Sequence, residues 1–199
     1  MKLLNKKISV SVFCGAQKGK TKDYYELAHK TGELLAKNKM RLVYGAGGTG
    51  LMGAVAYGVL DNGGAIYGVT TKVIAAFEEP IKGTKTKIVC DIQKRKRTFI
   101  DNSDAFIVLP GGFGTFDELL DLLVGKEIIN KHRQVVPNSK LSETRPIILI
   151  NHKNFFKPFD ALADSLIKTG FISKDHKKMY EMVSTPEEAI KLIKKSVKK

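Results

Sequence analysis

Short apolar runs of strand character alternate with helix-periodic segments along almost the whole chain, and three of the runs end in small-residue loops. Ile8 to Phe13 reads as a buried strand, and Asp23 to Lys37 follows with Tyr24, Leu27, Ala28, Thr31, Leu34 and Leu35 at helical spacing. Arg41 to Tyr44 is a second strand, Gly45 to Gly50 a glycine-rich turn, Leu51 to Asn62 a helix and Ala65 to Thr70 a third strand. After a polar stretch, Lys87 to Cys90 reads as a strand and Ile92 to Asn102 as a helix. Ala105 to Leu109 is an apolar run ending in Pro110-Gly111-Gly112, and Thr115 to Val124 a helix. A polar segment from Lys126 to Arg145 precedes a strand, Pro146 to Ile150, and a helix, Phe156 to Thr169. The last helix starts at Pro186, where Thr185-Pro186-Glu187-Glu188 forms a capping box with proline at the first helical position.

Strands that alternate with helices are joined by right-handed crossovers, which gives a parallel sheet covered on both faces. The expectation is an α/β fold, a single Rossmann-like domain over residues 1–199 without internal repeats, since 199 residues suit one core. Such sheets bind ligands beyond the C-terminal ends of their strands.

Composition narrows the function classes. No apolar run approaches the roughly 18 residues needed to span a bilayer, and the basic start Met1-Lys2 leads into a short, strand-like stretch without a signal-peptide cleavage site. Neither a membrane protein nor a secreted one is expected. Cys14 and Cys90 are too few for a disulfide framework and wrongly spaced for zinc, so both read as reduced core residues of a cytoplasmic protein. The net charge of +14 would attract nucleic acid, a membrane surface or a small anion alike. Much of the lysine is scattered or terminal, as at Lys191, Lys194, Lys195, Lys198 and Lys199, without interleaved aromatics. This reads as a solvated surface and not as a nucleic-acid interface.

Three segments follow strand ends and should converge: Cys14-Gly15-Ala16-Gln17, Gly45 to Gly50, and Pro110 to Thr115. Glycine allows close backbone approach, and a helix N-terminus offers unpaired N–H groups to an anion, so the loops suit a phosphate. Gly45 to Gly50 lacks the Gly-Lys-Ser/Thr ending of a Walker loop, and no acidic ribose-binding residue follows at dinucleotide spacing, where Gly64 stands. ATP hydrolysis and hydride transfer lose support.

The Pro110 loop runs into Phe116-Asp117-Glu118, which places Glu118 in the first turn of the following helix, near Asp121. Acids there can simply complement the helix dipole. Lys94-Arg95-Lys96-Arg97 is a basic cluster able to hold a phosphate or orient a carboxylate, or else a solvated helix face. His29, His132, His152 and His176 show no metal-ligand spacing, and no nucleophile–histidine arrangement stands out, so neither a metal nor a covalent nucleophile is assigned.

These motifs resemble the LOG family, the cytokinin riboside 5′-monophosphate phosphoribohydrolases once labelled possible lysine decarboxylases. The match runs over about residues 8 to 172. The hallmark Pro-Gly-Gly-x-Gly-Thr-x-x-Glu stands unchanged at Pro110 to Glu118, the Arg-Lys pair falls on Arg95-Lys96, and Val12 to Gly15 and Tyr44 to Gly53 match the opening segments. The resemblance implies hydrolysis of a purine nucleoside 5′-monophosphate with Arg95 and Glu118 catalytic and no cofactor. It implies substrate contacts from Gly15, Ala16, Gly47, Gly48, Thr49, Gly50, Met52, Lys96, Gly111, Gly112, Phe113, Gly114, Thr115 and Asp121. The base-contacting acid falls on Glu78, with Glu79 as the alternative. A homodimer or larger homo-oligomer is implied, with sites near the subunit interface.

The chain departs from the family pattern at Ala16 for serine, Gln93 for histidine and Phe99 for methionine. A Trp-Ala-Gln segment is missing, and Gly125 to Arg145 is longer than the usual connection. The decarboxylase label would require a pyridoxal phosphate lysine, which none of these motifs supplies. A carrier of nucleotide or molybdenum cofactor on the same fold is the rival reading, since fold alone does not fix function.

Overall fold

Alternate residues of the central strands point to opposite faces of one sheet, and both faces are apolar, as a sheet buried between helices requires. Val10 and Val12, Leu42 and Tyr44, Ile107, Ile148 and Ile150 belong to one buried cluster. Phe13, Val43, Phe106, Val108, Ile147 and Leu149 belong to the other. The computed structural model describes residues 7–132 and 145–197.

Among these residues the strands β1 (Ser9–Phe13), β2 (Arg41–Tyr44), β3 (Ala65–Thr71), β4 (Lys85–Val89), β5 (Ala105–Val108), β6 (Ile147–Ile150) and β7 (Glu181–Val183) form a single sheet in the order β4-β3-β2-β1-β5-β6-β7. Every pairing is parallel. The helices are α1 (Lys22–Lys37), α2 (Gly50–Leu60), α3 (Lys72–Phe77), α4 (Ile92–Asp101), α5 (Phe113–Lys131), α6 (Lys157–Lys168) and α7 (Pro186–Val197). Residues of α1, α2 and α7 pack on the first cluster, and residues of α4 and α5 on the second. The α/β Rossmann-like architecture therefore stands. The strand order reverses between β1 and β5, and a crevice opens at such a switch point beyond the strand ends.

Three elements and one cysteine differ from the sequence expectations. α3 replaces part of a presumed polar stretch; it has six residues, none buried, and so no core periodicity, and its start is held by Thr71, whose hydroxyl accepts from Ile74 N. β7 is a three-residue edge strand beginning with an exposed glutamate, too short to show alternation. Cys90 is exposed just beyond the edge strand β4, so of the two cysteines only Cys14 is a core residue.

α5 begins at Phe113 instead of Thr115 and continues to Lys131 instead of ending at Val124. Gly112 is extended and serves as N-cap, which moves Glu118 from the first turn into the second. The helix continues because Lys126 occupies the next inward position after Thr115, Leu119 and Leu122. Its buried ammonium donates to the Arg145 and Met179 carbonyls. A lysine there conceals the apolar period. Of the long segment from Gly125 to Arg145, residues 133–144 lie outside those described. The capping box forms as expected, with Thr185 Oγ1 accepting from Glu188 N and Glu188 Oε2 accepting from Thr185 N.

Candidate active site

The loops after β1, β2 and β5 are laced together by backbone hydrogen bonds: Gly15 N donates to Pro110 O at 3.1 Å and Leu51 N donates to Gly15 O at 3.1 Å. Glycine is required where they cross. Gly50 has φ +59°, and a Cβ there would lie 1.9 Å from Ala16 O. One on Gly111 would lie 2.1 Å from Thr115 Oγ1. Gly112 and Gly114, by contrast, face open space. They stand at the start of α5, where Thr115 N donates back to Gly112 O at 3.0 Å but the N–H groups before it precede any intrahelical acceptor, and where the N-cap has no side chain. That is the geometry of an anion cradle.

A cleft of about 650 Å³ opens here. Its lining includes Gly15, Ala16, Met52, Glu78, Arg95, Lys96, Gly111, Gly112, Gly114, Thr115 and Glu118 among the sequence-expected residues. Gly47, Gly48, Thr49 and Gly50 are not part of that lining. Thr49 Oγ1 donates to Glu78 Oε1 at 2.9 Å, and Gly47 leaves room for that carboxylate, which a Cβ would approach to 2.3 Å. Phe113 is 96% exposed and does not line the cleft, and Asp121 meets Lys96 instead of the cavity. Tyr24 and Phe155 also line the cleft. Phe155 follows β6, a strand end with no glycine signal, and Tyr24 carries in the sequence only the spacing of an apolar helix face.

The basic cluster on α4 divides. Lys94 and Arg97 are exposed, whereas Arg95 and Lys96 are buried. The Arg95 guanidinium donates from Nε to Val69 O at 3.0 Å and from Nη2 to Gly45 O at 3.3 Å, and lies 5.1 Å from the Phe99 ring centre. Its Nη1 stands 4.0 Å from Glu118 Oε1. Gly45 makes this possible, because a Cβ there would lie 2.3 Å from Nη2. Lys96 pairs with Asp117 at 3.2 Å and Asp121 at 3.6 Å. Burial disfavours its charge, but the two carboxylates outweigh burial and raise its pKa.

Burial pushes the Glu118 carboxyl up to a pKa of about 7, with Arg95 opposing and Asp117 adding to the shift. The dipole explanation for an acid at this position fails, since Glu118 lies in the second turn and the dipole effect fades beyond the first. A desolvated carboxylate titrating near neutrality in a cleft is a common arrangement for acid–base chemistry. Among the described residues, no group of three or more His, Cys, Asp or Glu side chains is arranged to hold a metal ion.

A family model described as possible lysine decarboxylase matches residues 52–193. The cytokinin riboside 5′-monophosphate phosphoribohydrolase of Rhodococcoides fascians is 34% identical over 167 residues, 83% of this chain and 78% of that protein. The enzyme of the same name, LOG, from Oryza sativa subsp. japonica is 32% identical over 185 residues, 91% of this chain and 70% of that one. Among solved structures, the molybdenum cofactor carrier protein of Chlamydomonas reinhardtii superposes with a TM-score of 0.70 at 16% identity, covering 98% of this chain and 100% of that one. The molybdenum cofactor binding protein of Rippkaea orientalis does so with 0.68 at 19%, covering 97% and 99%. At these identities the structural likeness is one of fold.

Proposed function

The chain belongs to the LOG family of possible lysine decarboxylases, and from that premise we propose that it hydrolyses the N-glycosidic bond of a purine nucleoside 5′-monophosphate. The substrate is AMP or an N6-modified AMP, the products are free base and ribose 5-phosphate, and one domain carries the activity. Glu118 carries this reading: a buried carboxylate of raised pKa, beside an arginine and one turn beyond an anion cradle.

In this reading the 5′-phosphate rests on Gly111, Gly112, Gly114 and Thr115, with the first N–H groups of α5 as donors. Departure of the base builds oxocarbenium charge at C1′. Ionised Glu118 stabilises that charge and takes a proton from the attacking water. The C1′–N bond electrons leave with the purine, which takes a proton from solvent, and Glu118 gives the water proton back to solvent to reset the site. Arg95 holds the carboxylate in place through its own fixed bonds to Val69 O and Gly45 O. Glu78, braced by Thr49, faces the base.

A pyridoxal-dependent decarboxylase fits these residues poorly. Among the described residues Lys96 is the one lysine lining the cleft, and its two carboxylates keep it charged, whereas Schiff-base formation needs a neutral amine.

The direct test separates AMP, isopentenyladenosine monophosphate and adenosine from their products chromatographically after incubation with the protein. Base release from a nucleotide but not from adenosine supports the proposal and ranks the substrates; release from none of them contradicts it. Since Glu118 acts ionised, kcat/KM is expected to rise with pH through an apparent pKa near 7. A limb that falls there would make Glu118 the general acid instead.

The proposal includes a homodimer through the outer face of α5. Phe113, Leu120, Val124 and Ile128 share one helical face and are exposed among the described residues, at 96%, 48%, 52% and 54%. Sedimentation should show a dimer that the Leu120→Glu/Val124→Glu double variant dissociates; a monomeric wild-type protein would refute it.

A further inference from the structure

Next to the cleft-lining Tyr24 and Phe155, two segments 129 residues apart are joined by a charged bridge that the mechanism above does not use. Asp23, in the first turn of α1, accepts from His152 Nε2 at 2.5 Å and from Lys153 Nζ at 2.8 Å. Each partner is a sequence neighbour of a cleft wall: Asp23 precedes Tyr24, and Lys153 lies two residues before Phe155. The His152 ring meets Tyr24 edge-on at 5.6 Å, and Phe155 stacks on Phe116 of α5 at 6.3 Å, so this wall adjoins the anion cradle. Tyr24 in turn covers Gly19, which has φ +76° and where a Cβ would come within 2.9 Å of the tyrosine ring.

The backbone at the bridge is costly. Lys153 and Asn154 are consecutive non-glycine residues in the left-handed region, at φ 51° and 61°. Partly exposed ion pairs contribute little to stability, so the pairing alone gives the fold small return for holding two strained residues. Strain of this kind persists at ligand clamps, where surrounding contacts over-determine it. Hydrogen bonds from Lys153, Thr21 and His152 keep the Asp23 carboxyl far below the usual range, so the acceptor of the bridge stays ionised.

We propose that Asp23, His152 and Lys153 form a positioning bridge that holds Tyr24 and Phe155 as one wall of the cleft and thereby sets affinity for the ribose-phosphate part of the substrate. This rests on the reading of the cleft as a nucleotide site. None of the three residues acts on the reacting atoms; they act through the two aromatic side chains.

The test compares Asp23→Asn, His152→Leu and His152→Gln with wild type, reading KM and kcat on AMP and the calorimetric Kd for ribose 5-phosphate. Asp23→Asn and His152→Leu are expected to raise KM and Kd about tenfold with kcat within about twofold, because only binding geometry is lost. His152→Gln, which keeps a donor, should recover most of the affinity. In a Phe155→Ala background Asp23→Asn should add little, since residues acting as one unit are not additive. Unchanged KM and Kd, or full additivity with Phe155→Ala, would overturn the bridge. Wild-type protein that binds ribose 5-phosphate without cleaving any nucleotide would refute the nucleosidase while leaving the bridge to be judged on Kd. Failure of the wild type to bind either compound would overturn the bridge itself.

Discussion

Replacing Glu118 with glutamine is expected to slow base release about a thousandfold or more while nucleotide affinity changes by only a few-fold. Glutamine keeps the shape and size of the side chain but can supply neither the negative charge nor the proton acceptor that the proposed mechanism asks of Glu118. The proposed phosphate cradle of Gly111, Gly112, Gly114 and Thr115 lines the same cleft and is left unaltered by the substitution. The same substitution should not weaken the fold. A carboxyl whose folded pKa is raised from 4.5 to about 7 binds its proton more tightly when folded. Its ionisation therefore costs stability, a cost absent below the unfolded pKa and fully present above the folded one. The variant should melt no lower than wild type at about pH 8, and its advantage should shrink as pH falls toward about 5. Retained turnover would remove Glu118 from the chemistry, and lost affinity would make it a binding residue.

Arg95→Ala is expected to lower kcat/KM by about a hundredfold and to destabilise the protein by about 3 kcal/mol, because removing one partner of a buried pair strands the other. The Val69 and Gly45 carbonyls lose their donors together with the ion pair to Glu118. With the opposing cation gone, the Glu118 pKa should climb further, so the surviving activity should move to higher pH. Arg95→Lys should restore little, since one ammonium cannot reach two carbonyls and a carboxylate from the place of a planar guanidinium. Kinetics across pH and denaturant unfolding check both effects; wild-type stability in Arg95→Ala would contradict the buried-pair account.

Both residues lie on segments whose type was readable in the sequence, for physical reasons that differ. The central strands alternate between two buried faces, so Val10 and Val12 or Phe106 and Val108 register as apolar runs whichever face they serve. The glycine loops were legible because close approaches leave no room for a side chain at Gly50 and Gly111, and that requirement shows in the composition. The start of α5 was not, since its cap is a glycine, and neither was its extension, because buried Lys126 takes an apolar position. Nor could composition divide Lys94-Arg95-Lys96-Arg97 into buried and exposed pairs. The division depends on Val69 O, Gly45 O, Asp117 and Asp121 arriving from other elements.

The part of the cleft lined by Tyr24 and Phe155 is the least legible. Tyr24 sits at helical spacing like any core aromatic, and Phe155 belongs to an aromatic run that packs on α5. The contact between Asp23 and His152 proposed to hold them there joins positions 129 residues apart, which only the assembled fold brings together. Thr49 and Gly47 are a milder case: they belong to a recognisable glycine loop, yet they serve the site indirectly by bracing and accommodating Glu78.

The most direct test follows adenine and ribose 5-phosphate together in one reaction of wild-type protein with AMP or its N6-isopentenyl derivative, beside an identical reaction with Glu118→Gln. The account requires the two products to appear one for one with wild type and to be nearly absent with the variant. A wild-type protein that binds the nucleotide and releases no base, or a variant that releases it as fast, would contradict it.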